Sequence, residues 1–135
     1  MANVLYNKAR EKLIAQTISW PNDTIKAVLI DTAQYTFSAS HEFLSSVPAG
    51  ARVATLSGQL TSKTYVSGEL DAADTTITAV AGVTVEAVIL YVSTGTDSTS
   101  SLFAYIDTAT NLPLTPNGSD VTIVWPSTSP FICRI

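Results

Sequence analysis

Few side chains in this sequence are equipped for chemistry: one histidine, one cysteine and eleven carboxylates. Any neutral-pH acid–base or metal mechanism would turn on His41, which follows Ser38-Ala39-Ser40 and precedes Glu42 in an expected single helical turn. A Ser-His-Asp relay can be written on paper with almost any hydroxyl, because Ser and Thr supply 34 of the 135 residues. That abundance empties the match of information, and no Gly-x-Ser-x-Gly elbow presents a nucleophile. His41 is therefore read as an exposed loop or cap residue. Zinc is disfavoured, since His41 and Cys133 lie 92 positions apart and neither sits in a paired ligand motif. Asp71-Ala72-Ala73-Asp74 lacks the alternating acids, glycine and closing Glu of a calcium loop and reads as a turn cap. With six glycines in all, neither phosphate-binding glycine motif is present. The expectation is no catalytic residue, no metal and no cofactor: not an enzyme.

The aromatic residues, among them Tyr35, Phe37, Tyr65, Tyr91, Phe103, Tyr105 and Trp125, could line a sugar-binding face. Most lie inside strand patterns beside aliphatics, where a ring is ordinarily core. Tyr6 and Trp20 differ by flanking the N-terminal segment, and their types are those most often found as interface hot spots. With Leu5, Lys8, Arg10, Lys12 and Leu13 they form the candidate interface.

These residues must be positioned by a single domain, for which 135 residues is sufficient. The composition is 46% hydrophobic and only 13% charged, with net charge −4, so the chain has enough apolar surface to fold and too little charge for disorder. No apolar run is long enough to cross a bilayer, the longest being Val83 to Val92 with Glu86 inside it. The N-terminus lacks the pattern of a secretory signal, which leads us to expect synthesis in the cytoplasm. A lone Cys133 within Phe131-Ile132-Cys133 reads as a small core residue. A pI of about 4.6 argues against nucleic-acid binding. Charge is asymmetric nonetheless: residues 1–63 carry +2 and residues 64–135 carry −6. Either the halves attract across subunits or they lie on opposite faces of one molecule.

One helix is expected, over Asn3 to Ala15, with Leu5, Ala9 and Leu13 at i, i+4 and i+8, Asn3 as N-cap, and Trp20-Pro21 closing the region. Its stripe is too narrow to stand alone, so it must pack on the domain or on a neighbour. Residues 1–20 are read as a helical arm and 21–135 as the β domain. Strands are expected at Thr24–Asp31, Tyr35–Ser38, Arg52–Leu56, Leu60–Val66, Thr75–Val80, Thr84–Val92, Leu102–Asp107, Val121–Trp125 and Phe131–Ile135, separated by Gly, Pro and Asn turns. No helical crossover is available for parallel pairing. The fold class is all-β, an antiparallel sandwich or a barrel-like, jelly-roll-like domain. Thr84–Val92 is apolar on both faces, as in a strand covered from two sides. Its Glu86 reads as a rim residue in preference to a buried partner of Arg52.

The succession Leu5-Tyr6-Asn7-Lys8-Ala9-Arg10-Glu11, Ser19-Trp20-Pro21-Asn22-Asp23-Thr24-Ile25-Lys26 and Ile30-Asp31-Thr32-Ala33-Gln34-Tyr35-Thr36-Phe37 resembles the opening of small virion structural proteins of tailed bacteriophages. The likeness continues through Arg52–Thr55, Glu86–Tyr91, Ser101–Asp107 and Pro113–Asp120, nearly the whole chain. The resemblance implies a non-enzymatic particle component located in the virion, most simply a head decoration or cement protein docked on the major capsid protein or another virion protein. It also implies a homo-oligomer, a trimer by preference, with no membrane or nucleic-acid partner. A tail or fibre component and a carbohydrate-binding β module are the alternatives.

Overall fold

The computed structural model describes residues 4–109, 112–128 and 132–135. Asn3, expected as the helix cap, and Phe131 lie outside them. The all-β expectation holds, with antiparallel, sandwich-like sheets and one short helix near the N-terminus. The strands are β1 (Val4–Leu5), β2 (Ile25–Ile30), β3 (Arg52–Thr55), β4 (Thr64–Val66), β5 (Glu69–Asp71), β6 (Thr75–Ile77), β7 (Ala87–Val92), β8 (Ser101–Ile106), β9 (Val121–Ile123) and β10 (Cys133–Arg134). The helix, α1, spans Asn7–Ile14. The main sheet runs β1-β8-β7-β2-β3, a second runs β10-β5-β4, and β6 pairs with β9.

The centre of the main sheet follows from composition. β7 (AVILYV) and β8 (SLFAYI) hold no formal charge, and β8 is buried at every position. A strand apolar on both faces is stable only where both faces are covered, and its β-branched and aromatic residues suit the pleated surface. The two-sided reading of the Thr84–Val92 region is therefore correct, although the strand starts only at Ala87. Val85 instead bridges to Leu114, and Glu86 N–H bonds Ile30 O. The faces of β6 alternate: Thr75 and Ile77 are buried and Thr76 is exposed.

The N-terminal segment departs from its expected form. Val4 and Leu5 pair with Tyr105 and Ala104 as the outer strand of the main sheet, so the helix begins only at Asn7. Tyr6 occupies the cap position without a side-chain cap bond, and its carbonyl accepts from Ala9 and Arg10 N–H. The helix closes with Gln16 in the left-handed region (φ 64°), while Gln16 N–H bonds Leu13 O and Thr17 N–H bonds Lys12 O. This double bond satisfies two orphan carbonyls and turns the chain back toward the core, where Ile18 and Trp20 are buried. No seam divides residues 4–20 from the β domain, because Leu5, Tyr6 and Ala9 belong to the same core as β7 and β8.

Tyr35–Ser38 is not a strand. Asp31 Oδ1 accepts Ala33 N–H, Asp31 Oδ2 accepts from Gln34 Nε2, and Gln34 N–H bonds Asp31 O, which turns the chain out of β2. The segment then crosses the main sheet as a strap, with Tyr35 and Phe37 rings against Tyr105 and Phe37 also against Tyr6. β5, which was not expected, follows the turn at Ser67-Gly68.

Integration of β1 has a measurable consequence. Leu5→Ala is expected to lower the unfolding free energy by about 2–5 kcal/mol, the cost of a buried cavity, whereas Ile14→Ala, at a side chain 85% exposed, changes it by less than about 0.5 kcal/mol. Urea titrations followed by circular dichroism separate the two. Equal, small effects would mean that the N-terminal segment is an appendage.

Candidate functional site

The seven candidate interface residues have divergent fates. Leu5, Tyr6 and Trp20 are core residues of the single chain, and their apolar surface is consumed there. Arg10 is turned inward and its Nη1 donates to Leu5 O (3.0 Å). Lys12 pairs with Glu42 (2.9 Å), donates to Ser101 Oγ (2.6 Å) and lies 4.5 Å above the Phe43 ring. Leu13 is half-buried against the core. Only Lys8 is freely exposed, paired with Glu11 one turn on, and Ile14 extends that outer face of α1. Residue type marks Tyr6 and Trp20 as anchors, but a buried ring and a docking ring look alike in sequence.

The charged halves are joined within the chain. Arg52 Nη1 holds Asp97 (2.7 Å), while Nε and Nη2 bond Val47 O and Nη2 also bonds Leu44 O (2.8 Å). Glu86 stands at the rim as expected, its Oε1 accepting Thr32 N–H and Oγ1 at 3.0 Å each. Asp71 Oδ1 accepts the adjacent Ala72 N–H, a local bond of the kind a turn cap makes, whereas Asp74 Oδ1 accepts Trp125 N–H from just beyond β9, a long-range tie and not a turn cap.

His41 is half-buried and not a free loop residue. Its Nδ1 is 2.9 Å from Tyr35 OH, which is 3.0 Å from Tyr6 OH, forming a clasp between α1's entry and the strap. Asn7 N–H adds a bond to Ala39 O. Burial raises the Tyr6 phenol above the usual tyrosine range, with the Tyr35 hydrogen bond adding to it. Burial also raises Tyr35, Tyr91 and Tyr105, and lifts the Cys133 thiol to about 12. These groups are held neutral, and a neutral phenol or thiol is a poor nucleophile. Among the described residues, no three His, Cys, Asp or Glu side chains come together as a metal site would require.

What remains is a surface. β4 and β5 form a hairpin whose two-residue turn, Ser67 (φ 52°) and Gly68 (φ 77°), has the positive φ pair that matches strand twist. Register and alternation place Thr64, Val66, Glu69 and Asp71 on the outer face, where with Ser67 they line an open cavity of about 280 Å³. Arg134, opposite Glu69 in register, pairs with its carboxylate. The inner face reads Cys133, Leu70, Tyr65 across the three strands. Cys133 and Leu70 are each 1% exposed, but Tyr65, on the outer strand, is 63% exposed and its neighbour Val66 70%. A row that begins as core runs out into solvent.

Trp20 supports that edge from beneath. Its Nε1 donates to Thr64 O (3.0 Å) and its ring stacks on Phe103 (5.4 Å), tying β4 to β8. Lys63 reaches over the same ring (5.9 Å) and donates to Asp23 O, and burial lowers its pKa. The edge is thus held in place by the chain's own core. Nothing in the residues Thr64-Tyr65-Val66 distinguishes a core strand from this one. The deciding fact is that β4 is outermost in its sheet.

No family model matches the chain, and no curated protein matches it as a relative.

The raised phenols fix the response to alkali. The folded chain resists losing these protons, whereas the unfolded chain releases them near pH ~10. The phenols' contribution to stability is therefore fully present below about pH 10 and falls as pH rises above it. Denaturant titrations at neutral and strongly alkaline pH should show that loss. Tyr6→Phe should cost about 1 kcal/mol at neutral pH through the lost hydroxyl bond and reduce the alkaline loss. An alkaline loss undiminished in Tyr6→Phe would remove Tyr6 from the explanation.

Proposed function

We propose that this chain is a non-enzymatic structural protein of a bacteriophage virion, acting as a head decoration or cement protein that docks on the capsid lattice and stabilises it. The observation that carries the reading is the apolar row ending at Tyr65 on an outer strand, supported from below and left uncovered. An outer strand with unpaired backbone groups is a ready template for pairing with another chain. The resemblance in segment order supplies the kind of particle.

Docking on a repeated shell multiplies weak contacts. Each copy offers modest apolar areas, the β4 edge and the Ile14 end of α1. Simultaneous engagement of neighbouring subunits converts such contacts into firm attachment through effective concentration.

The carbohydrate-binding alternative finds less support. A sugar site stacks a ring beside polar acceptors, but Tyr65 and the cavity lined by Thr64, Ser67, Glu69 and Asp71 lie on opposite faces of the small sheet.

Quantitative mass spectrometry of purified particles, with immunogold labelling for position, tests the proposal. A copy number proportional to the capsid subunit and labelling over the shell are expected. A few copies at one end would replace it with the tail or fibre reading. Absence from particles would end both.

A further inference from the structure

We infer that the outer edge of β4 is closed by a second copy of this chain, the two β4 strands pairing antiparallel about a two-fold axis at Tyr65. The inference deepens the assembly reading above and rests on it in one respect only, that the chain works in company with its own copies.

Backbone polarity provides the first argument. In the β4–β5 hairpin the closing pair is Val66–Glu69, and Thr64–Asp71 is the next pair of the same kind. In such a ladder these two pairs exchange hydrogen bonds and the intervening Tyr65–Leu70 pair does not. Leu70 accordingly spends its carbonyl on the other side, accepting Ile132 N–H (2.9 Å). Tyr65 N–H and C=O therefore point outward, away from β5. A second Tyr65 across a two-fold axis offers the complementary C=O and N–H, so one symmetric pair of bonds satisfies both copies.

The side chains agree with that geometry. The inner row Cys133, Leu70, Tyr65 would continue as Tyr65, Leu70, Cys133 of the second copy, covering both exposed rings with each other. On the outer face Thr64 of each copy would lie across from Val66 of the other. Charge permits the match: Thr64, Tyr65 and Val66 are neutral, and the nearest acids across the seam, Asp71 of one copy and Glu69 of the other, are three strand spacings apart, about 14 Å. That exceeds the Debye length of about 8 Å at physiological salt, so their repulsion is screened. A two-fold pairing of this kind closes as a dimer, in place of the trimer expected from the resemblance.

The seam is short. A three-residue strand falls well below the roughly 800 Å² per partner of a standard stable interface. The dimer should accordingly be weak in free solution, with a dissociation constant on the order of 0.1–1 mM, and be filled where a lattice holds copies at mM effective concentration.

Sedimentation velocity on the full-length protein, from about 10 μM to about 1 mM, reads the equilibrium. The wild type is expected to shift from monomer toward dimer across that range. Tyr65→Pro, which removes the outward N–H and the ring at the seam but no bond to β5, should raise the dissociation constant at least about tenfold while leaving the circular dichroism spectrum unchanged. Should that variant misfold, the charge-swap pair decides. Tyr65→Lys alone and Tyr65→Glu alone place like charges directly across the axis and should be monomeric, and their mixture should restore dimers. A wild type monomeric throughout, or a mixture that stays monomeric, overturns the inference. Particle binding is scored separately. Dimers without particle binding uphold the inference and defeat the cement reading. Particle binding that is lost in Tyr65→Pro, by a wild type that never dimerises, does the reverse and gives the edge to a capsid strand.

Discussion

Covering β7 and β8 on both faces is the constraint from which the rest of this structure follows. The twelve positions of these two strands carry no formal charge, and eleven of them are buried. A free face on either strand would expose several aliphatic side chains at once, each worth about 1.5–3 kcal/mol of burial. A chain of 135 residues has little material with which to cover them. It uses α1 and the strap carrying Tyr35 and Phe37, and two small sheets whose Leu70, Ile77, Ile123 and Cys133 join the same core. Segments that looked like accessories in the sequence are thereby drafted into the core, which is why Leu5, Tyr6 and Trp20 face inward.

The economy leaves a deficit at the periphery. Small sheets of two and three strands bury their inner faces only where the main sheet lies beneath them, and β4 projects past that support. Tyr65 is the visible remainder. Trp20, fixed between Phe103 and Thr64 O, prevents the edge from collapsing inward to hide it.

Much of the fold was legible because the strong strands announce themselves by composition. The cores of β2, β7 and β8 fall within their expected segments. Short elements were the difficulty. Val4 and Leu5 fit a helical stripe with Ala9 and Leu13 as well as they fit a strand, and only the pairing with Tyr105 and Ala104 settles which. Tyr35–Ser38 alternates like a strand because its rings do face one surface, yet its backbone makes no ladder after the Asp31 turn. β5, with Glu69 and Asp71 around Leu70, is too brief and too acidic to register by pattern. The candidate site was less legible still. Tyr65 reads as one more core aromatic, and no property of Tyr65 or its neighbours contradicts that. Exposure there is set by strand order, a long-range fact that local spacing does not encode.

The Arg52 guanidinium has a mechanical consequence. By gripping Leu44 O, Val47 O and Asp97 together, and with Leu44 N–H on Ser100 O and Ser45 N–H on Asp97 O, it gears the two loops at residues 44–47 and 97–100 into one piece. Neither can swing without dragging the other, so this rim keeps a single contour. The outline there is thus the same from one copy of the chain to the next, whatever comes to rest against it.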